Sequence, residues 1–226
     1  MLGLYDGCSL HVQLQAMLVE FAKLKRHFRR RDQVIARVID QVGPMLLRPQ
    51  RDRFEMLVRS IISQQISMAA ARSIRQRLID LIAPEKMRPE VISRIDIPRL
   101  RTAGLSPQKA GYLHDLAQKV ADGTVRLSRT GRMTDDEVIA ELTQVKGIGV
   151  WTAQMFLIFS LGRLDVFPPD DLGIRTAIRN LYRLAELPTR DQCREIGDRW
   201  RPLATAGSWY CWRSLELKAN GKQAKV

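Results

Sequence analysis

Two acidic residues, Asp170 and Asp171, follow a pair of prolines in the segment DVFPPDDLGIRTAI, residues 165–178. Prolines followed by an aspartate are typical of a helix start, where the carboxylate accepts hydrogen bonds from the first backbone N–H groups. Capping alone would account for one such residue. A pair leaves room for a second task, in which one aspartate caps the helix and the other presents its carboxylate to a ligand.

A glycine-containing turn precedes this segment, in QVKGIGVWTAQ, residues 144–154. Gly147 and Gly149 separate two stretches with helical spacing, so the first N–H groups of the second helix have no partner within that helix. Glycine lets a backbone come close to a ligand, and a helix start attracts anions. The turn therefore fits a phosphate group, although a tight helix–helix connection with glycine as the C-cap would use the same residues.

The charge of the chain favours a polyanion as its partner. Lysine and arginine number 37 against 24 aspartates and glutamates, which gives the 226 residues a net charge of +13. These basic residues are spread over many segments, a distribution that suits nucleic acid better than a membrane surface. No stretch is long enough to span a bilayer, and no signal peptide is recognised. We therefore expect an intracellular protein that binds nucleic acid.

Apolar residues recur with helical spacing almost throughout the chain, which predicts an all-α fold. Helices are expected near residues 10–30, 32–42, 52–64, 67–82, 106–122, 134–144, 150–161, 171–183, 189–200 and 204–218. Three of them begin with capping signatures, namely Ser106-Pro107, Thr134 with Glu137, and Thr189 with Gln192. The helix at 150–161 is apolar on nearly all sides and should be buried.

Three segments resemble one known family. LTQVKGIGVWTAQMFLIFSLGRLDVFPPDDLGIRTAI, residues 142–178, resembles the helix-hairpin-helix and aspartate signature of the base-excision DNA glycosylase superfamily. LVRSIISQQISMAAARSIRQRL (57–78) and LRTAGLSPQKAGYLHDLAQKV (100–120) resemble its 3-methyladenine DNA glycosylase branch. The resemblance extends from about residue 50 to residue 215.

The resemblance implies a helix-hairpin-helix DNA glycosylase fold, with two helical lobes and the active groove between them. We assign residues 1–50 plus 185–226 to one lobe and 51–184 to the other, which would carry the hairpin 144–154 and the aspartate loop 165–175. Trp200 and Trp209 are expected in the core.

The resemblance also implies a monofunctional enzyme that excises alkylated purines by hydrolysis of the N-glycosidic bond. The family's catalytic aspartate matches Asp171, which would stabilise the sugar cation and orient or deprotonate the attacking water, while Asp170 caps the helix. Members that also cut the strand carry a lysine where this chain has Trp151. We therefore expect no lyase activity, and a base pocket lined by Trp151, Met155 and Trp212.

Contacts with double-stranded DNA follow from the same resemblance. The intercalating side chain matches Gln65, with Gln64 beside it, although both could simply be the polar end of a helix. Phosphate contacts are expected from the amides of Gly147 and Gly149, from Thr152 and from Lys109.

No cofactor is expected for catalysis. In related hairpins, backbone carbonyls matching Thr143, Val145 and Ile148 hold a monovalent structural cation, Na or K. Iron-sulfur relatives need four closely spaced cysteines, whereas this chain has only Cys8, Cys193 and Cys211, too few also for a disulfide framework. We expect no iron-sulfur cluster.

One departure from the family pattern affects substrate range. Many relatives have Arg-Ser two residues after a late proline, whereas Pro202 is followed here by Leu203-Ala204-Thr205. Together with Met155, the missing arginine leaves the preferred base open among 3-methyladenine, 7-methylguanine, ethenoadenine and hypoxanthine. We expect a monomer that acts on DNA with alkylated bases. The alternatives are a non-catalytic DNA-binding or lesion-sensing protein and a glycosylase for deaminated or oxidised bases.

Overall fold

The computed structural model describes residues 20–223, with side chains to residue 217, and every regular element in that range is a helix. The all-α prediction is confirmed. The predicted first helix begins outside the described residues, and Cys8 also lies outside them. Residues 20–31 form α1, which is followed by α2 (Gln33–Val42), α3 (Arg53–Ser63), α4 (Met68–Ile82), α5 (Pro89–Ser93), α6 (Ile97–Thr102), α7 (Pro107–Ala121), a 3-10 helix (Leu127–Arg132), α8 (Asp135–Thr143), α9 (Val150–Phe159), α10 (Leu172–Leu181), α11 (Arg190–Asp198) and α12 (Ala204–Gln223).

Helix starts follow the capping signatures in the sequence. The Ser106 side chain accepts a hydrogen bond from Lys109 N at the start of α7, next to Pro107. Full capping boxes begin α8 and α11, in which a threonine and the residue three positions later bond each other's backbone. These signatures satisfy N–H groups that no helix can pair internally.

Three short helices were missed by the sequence prediction. The helices α5 and α6 have 5 and 6 residues, and the 3-10 helix also has 6. Such lengths cover two turns at most, so apolar spacing gives no usable period. Proline in the first turn of both α5 and α6 was the remaining signal.

The chain divides into two compact units. Residues 1–47 and 164–226 form one, here called the terminal unit, and residues 48–163 form the other, the central unit. The predicted boundary at 184/185 was wrong, because Ile174, Ala177 and Ile178 of α10 share a buried core with α2 and α12. The aspartate loop therefore belongs to the terminal unit and not, as predicted, to the lobe that carries the hairpin.

The core of the terminal unit is built around Trp200, which is fully buried, and Trp209 is also buried, as predicted. A buried carboxylate, Asp32, caps α2 and accepts a hydrogen bond from Trp200 Nε1 at 2.9 Å. It also accepts one from the hydroxyl of Tyr182. Burial and the adjacent Asp32 charge hold the pKa of Tyr182 above its ordinary value. The tyrosine therefore stays protonated as a donor.

In the central unit, α3 packs against α4, α7 and α9, and α8 packs against α9. Most of α9 is buried, including Phe156, Leu157 and Ile158, which confirms the prediction of a buried helix. Within the described residues, no helix combines the length and apolar character needed to cross a membrane.

Candidate functional site

Asp171 lies at the start of α10, where the chain turns into the helix. Its Oδ1 accepts hydrogen bonds from the backbone N of Ile174 at 2.8 Å and from the indole Nε1 of Trp212 at 2.9 Å. The residue is only 9% exposed. Two donors therefore fix the orientation of the carboxylate, since a rotated carboxylate would lose both bonds.

Asp170 does not cap α10, and its predicted role was wrong. Its side chain is half exposed and forms an ion pair with Arg190 of α11, with Oδ2 and Nη2 2.8 Å apart. Asp171 is the N-cap. The residue predicted to act on the substrate is thus also the residue that begins the helix.

Gly173 allows Trp212 to approach Asp171. A Cβ at Gly173 would lie 3.0 Å from Asp171 Oδ1 and 3.1 Å from Trp212 Cδ1, closer than side chains normally pack. The sequence analysis did not consider this glycine, although a glycine inside the first turn of a helix is itself a sign of close packing. Trp212, predicted as a wall of the base pocket, is in this structure a hydrogen-bond donor to Asp171.

The other end of the aspartate loop is held by the start of α12. Asp165 accepts hydrogen bonds from Arg201 Nη1 at 2.8 Å and from Ala204 N at 3.2 Å. Val166 N donates to the hydroxyl of Thr205 at 3.0 Å. Ala204 has no exposed surface, so the arginine of the family pattern would not fit there without rearrangement. Arg201, three residues earlier, supplies a guanidinium contact to this loop.

The two hairpin glycines serve different purposes. Gly147 has a φ of +80°, and a Cβ on it would lie 2.1 Å from the Tyr112 ring. Backbone conformation and packing both require glycine at this position. Gly149 is the N-cap of α9, and a Cβ on this residue would meet no heavy atom within 4 Å. It leaves open space in front of the first turn of α9, where the sequence predicts a phosphate.

The predicted pocket and phosphate residues of α9 differ in their exposure. Trp151, in the first turn, is 43% exposed, whereas Met155, one turn later, is only 8% exposed. Thr152 is buried as well, so its predicted phosphate contact would use the backbone N–H and not the hydroxyl. Trp151 is therefore the residue of this helix that offers an accessible ring.

The loop 64–67, between α3 and α4, is tied to the hairpin. Gln64 Nε2 donates to the carbonyl of Gly147 at 3.0 Å. Gln65 has a φ of +56°, which is uncommon for a residue with a side chain, and it is exposed. Two apolar side chains, Ile66 and Met68, are exposed beside it. The Gln64 side chain thus connects the loop to the hairpin, and Gln65 remains the candidate for intercalation.

Lys109, predicted to contact phosphate, is held by two backbone carbonyls. Its Nζ donates to the carbonyls of Ile62 at 2.9 Å and Gln64 at 2.5 Å, and so satisfies the C-terminal end of α3. Burial lowers the pKa of this ammonium group. The lysine therefore fixes the start of the loop 64–67.

The hairpin is supported by Asp115 of α7, a residue that the sequence analysis missed. Its Oδ2 accepts hydrogen bonds from Lys146 N and from Lys119 Nζ, both at 2.9 Å. Lys119 also donates to the carbonyl of Gln144 at 2.6 Å. Burial by itself would raise the pKa of Asp115, but these bonds outweigh it and hold the pKa below its ordinary value.

The predicted cation site uses carbonyls of the same turn. The carbonyl of Val145 accepts a hydrogen bond from Ile148 N at 3.1 Å, and a carbonyl oxygen has a second lone pair for a cation. The site at Thr143, Val145 and Ile148 stays a prediction. Across residues 20–217, no group of histidine, cysteine or acidic side chains has the arrangement of a metal site, and Cys193 and Cys211 are buried free thiols.

Comparison with known proteins shows the family of this chain. Residues 58–202 match the model of the HhH-GPD superfamily of base excision DNA repair proteins. DNA-3-methyladenine glycosylase 1 of Schizosaccharomyces pombe is 33% identical over 208 residues, which cover 90% of this chain and 91% of that protein.

Two solved structures have the same fold and similar sequences. A 3-methyladenine DNA glycosylase of the same yeast, in complex with abasic DNA, is 35% identical with a TM-score of 0.75, covering 86% of this chain and 97% of the other. A DNA-3-methyladenine glycosidase of Bacillus halodurans is 32% identical with a TM-score of 0.77, covering 86% and 89%. With its all-helical fold, glycine hairpin and helix-capping aspartate, the chain belongs to the HhH-GPD superfamily, in the alkylbase DNA glycosylase branch.

Proposed function

We propose that this protein excises alkylated purines from double-stranded DNA by hydrolysing the N-glycosidic bond, and that Asp171 is its catalytic residue. The observation that carries the proposal is the geometry of Asp171, a nearly buried carboxylate held by Ile174 N and Trp212 Nε1 in a chain of this family. The products would be a free base and an unbroken strand with an abasic site.

The chemistry suits a single carboxylate. Cleavage of the bond between the base and C1′ develops positive charge on the sugar, and a nearby carboxylate stabilises that charge. Water then adds to C1′ and gives up one proton, which Asp171 can accept. An N-alkylated purine already carries a positive charge and leaves as a neutral base, so no strong general acid is needed.

Trp151 supports a reaction without strand cleavage. Relatives that also cut the strand use a lysine amine at the matching position, and an indole cannot form that covalent intermediate. An exposed ring at the start of α9 instead suits stacking against an extruded, positively charged base. Water is therefore the proposed nucleophile.

The hairpin and the loop 64–67 would hold the DNA. Open space at Gly149 suits a backbone phosphate at the start of α9. Gln65, at the exposed loop, would fill the gap left by the extruded base. We further propose that the protein works as a monomer, inside the cell, on DNA with alkylated bases.

The test is to incubate the protein with alkylated DNA and identify the released bases by mass spectrometry. Asp171→Asn keeps an oxygen acceptor for the cap but removes the negative charge. Base release should fall at least a hundredfold, because electrostatic stabilisation of the transition state is lost, while DNA affinity stays nearly unchanged.

Two other functions give different results in the same assay. A lesion-sensing protein would bind alkylated DNA and release no base from either form, since the N-cap role of Asp171 does not itself require catalysis. A glycosylase for deaminated or oxidised bases would act on duplexes with hypoxanthine or 8-oxoguanine in preference to alkylated DNA.

A further inference from the structure

A cavity of about 480 Å³ lies in the central unit, between the second half of α3 and the first half of α4. Its lining includes four arginines and no acidic residue: Arg48, Arg59, Arg72 and Arg75. Ser60 and Ser63 line it as well, among apolar residues that include Ile62, Ala71 and Phe159. A concave surface with this composition suits an anion with several oxygen acceptors.

Most of this positive charge has no counter-ion within the described part of the chain. Arg75 pairs with Glu55, whereas residues 20–217 contain no ion pair for Arg48, Arg59 or Arg72. The Nε of Arg75 is buried and has no hydrogen-bond partner there. Guanidinium groups gathered without counter-charge repel one another, and an unpaired buried N–H is unfavourable. A bound anion would relieve the repulsion between the guanidinium groups.

The cavity adjoins the loop that is proposed to enter DNA. Ser63 and Met68, which line it, are the residues immediately before and after the loop 64–67. Gln65 and Ile66 are exposed on that loop. A DNA strand contacted by Gln65 would therefore pass within reach of the arginines.

We propose that this arginine cavity is a second phosphate-binding site, separate from the hairpin, which holds a phosphodiester of the DNA backbone beside the loop 64–67. The proposal rests on the proposed function, because the ligand is DNA. The planar guanidinium group of arginine donates hydrogen bonds to two phosphate oxygens at once. Four such side chains can adjust to the flexible backbone of DNA. A free phosphate group has the same chemistry, and the experiment separates the two.

The experiment measures the affinity for a DNA duplex over a range of salt concentrations. Arg59→Gln and Arg72→Gln, made singly, each remove one exposed charge from the cavity. Arg94→Gln, at an exposed position at the end of α5 and outside the cavity, is the matched control. Each cavity variant should weaken binding several-fold and reduce the slope of log affinity against log salt by about 0.9, the value for one lost phosphate contact.

The outcomes are distinct. Cavity variants that keep the affinity and salt slope of the wild type and of Arg94→Gln would overturn the proposal. Inorganic phosphate that raises the melting temperature of the wild type but not of the variants, with DNA binding unchanged, would also overturn it in favour of a free phosphate site. Base release by the wild type is measured in parallel, so that failure of the glycosylase proposal is seen separately.

Discussion

At the residue scale, the Asp171 carboxylate depends on neighbours from its own unit. The backbone N–H of Ile174 is fixed by the helix, whereas the Trp212 N–H reaches the same oxygen from α12. Gly173 is small enough to let the indole come close. Trp212 is therefore a positioning residue, whatever contact its ring also makes with a base.

Trp212→Phe separates these two roles, because phenylalanine keeps an aromatic face and loses the N–H. A hydrogen bond to a charged group contributes about 1.5 to 3 kcal/mol. The single-turnover rate of base release should therefore fall about ten- to a hundredfold, with a smaller change in DNA affinity. Trp209→Phe, in the same helix, is the control. A wild-type rate in Trp212→Phe would mean that the indole acts only by stacking.

At the element scale, three contacts turn the hairpin and the loop 64–67 into one assembly. Gln64 bridges the two, Lys109 binds the carbonyls at the end of α3, and Asp115 accepts a hydrogen bond from Lys146 N of the hairpin. All three residues lie in the central unit. Both loops are therefore positioned by side-chain hydrogen bonds from Gln64 and from α7, and not by the glycine turn alone.

Gly147→Ala and Gly149→Ala should affect different properties, the first stability and the second DNA affinity. At Gly147 the left-handed backbone costs an alanine about 1 to 2 kcal/mol, and Tyr112 would also have to move. This variant should melt at a lower temperature. At Gly149 the methyl group meets no protein atom, so stability should stay within about 0.5 kcal/mol of the wild type while DNA affinity falls. Thermal unfolding and DNA titration of both variants test this, and equal stability losses would contradict it.

At the scale of the whole molecule, the net charge of +13 makes every native carboxylate important for acid stability. Several have a pKa below the ordinary value. Hydrogen bonding by Lys25 lowers the pKa of Asp40, and the backbone N–H of Thr134 lowers the pKa of Glu137. Asp115 behaves in the same way, because its bonds outweigh its burial.

The protein should therefore lose stability below about pH 4. A carboxylate with a lowered folded-state pKa stabilises the native state fully above its unfolded value, near pH 4, and this contribution is lost as the pH falls through the folded-state pKa. Urea unfolding at several pH values measures the effect. The free-energy difference between the wild type and Asp115→Asn should shrink towards pH 3. A difference that does not vary with pH would show that the Asp115 charge contributes nothing.

Predictions from the sequence were correct for features that depend on residues close together in the chain. Helical spacing and capping signatures predicted the all-α fold and the starts of α7, α8 and α11, and the three family motifs indicated the glycosylase branch. Predictions were wrong where the outcome depended on residues far apart in the chain. Asp170 was assigned to capping because the pair alone does not reveal that Arg190 attracts it. The sequence also did not reveal that Lys109, which stays a predicted phosphate contact, bonds to carbonyls of another helix.

The bond between Gln64 and Gly147 has a consequence for how such a protein would examine DNA. The loop proposed to enter the base stack and the turn proposed to hold the backbone are joined by one amide, which couples their positions. Inspection of each nucleotide would then begin with the hairpin already bound to the DNA backbone. The protein would then move along undamaged DNA without a separate closing movement of the loop 64–67.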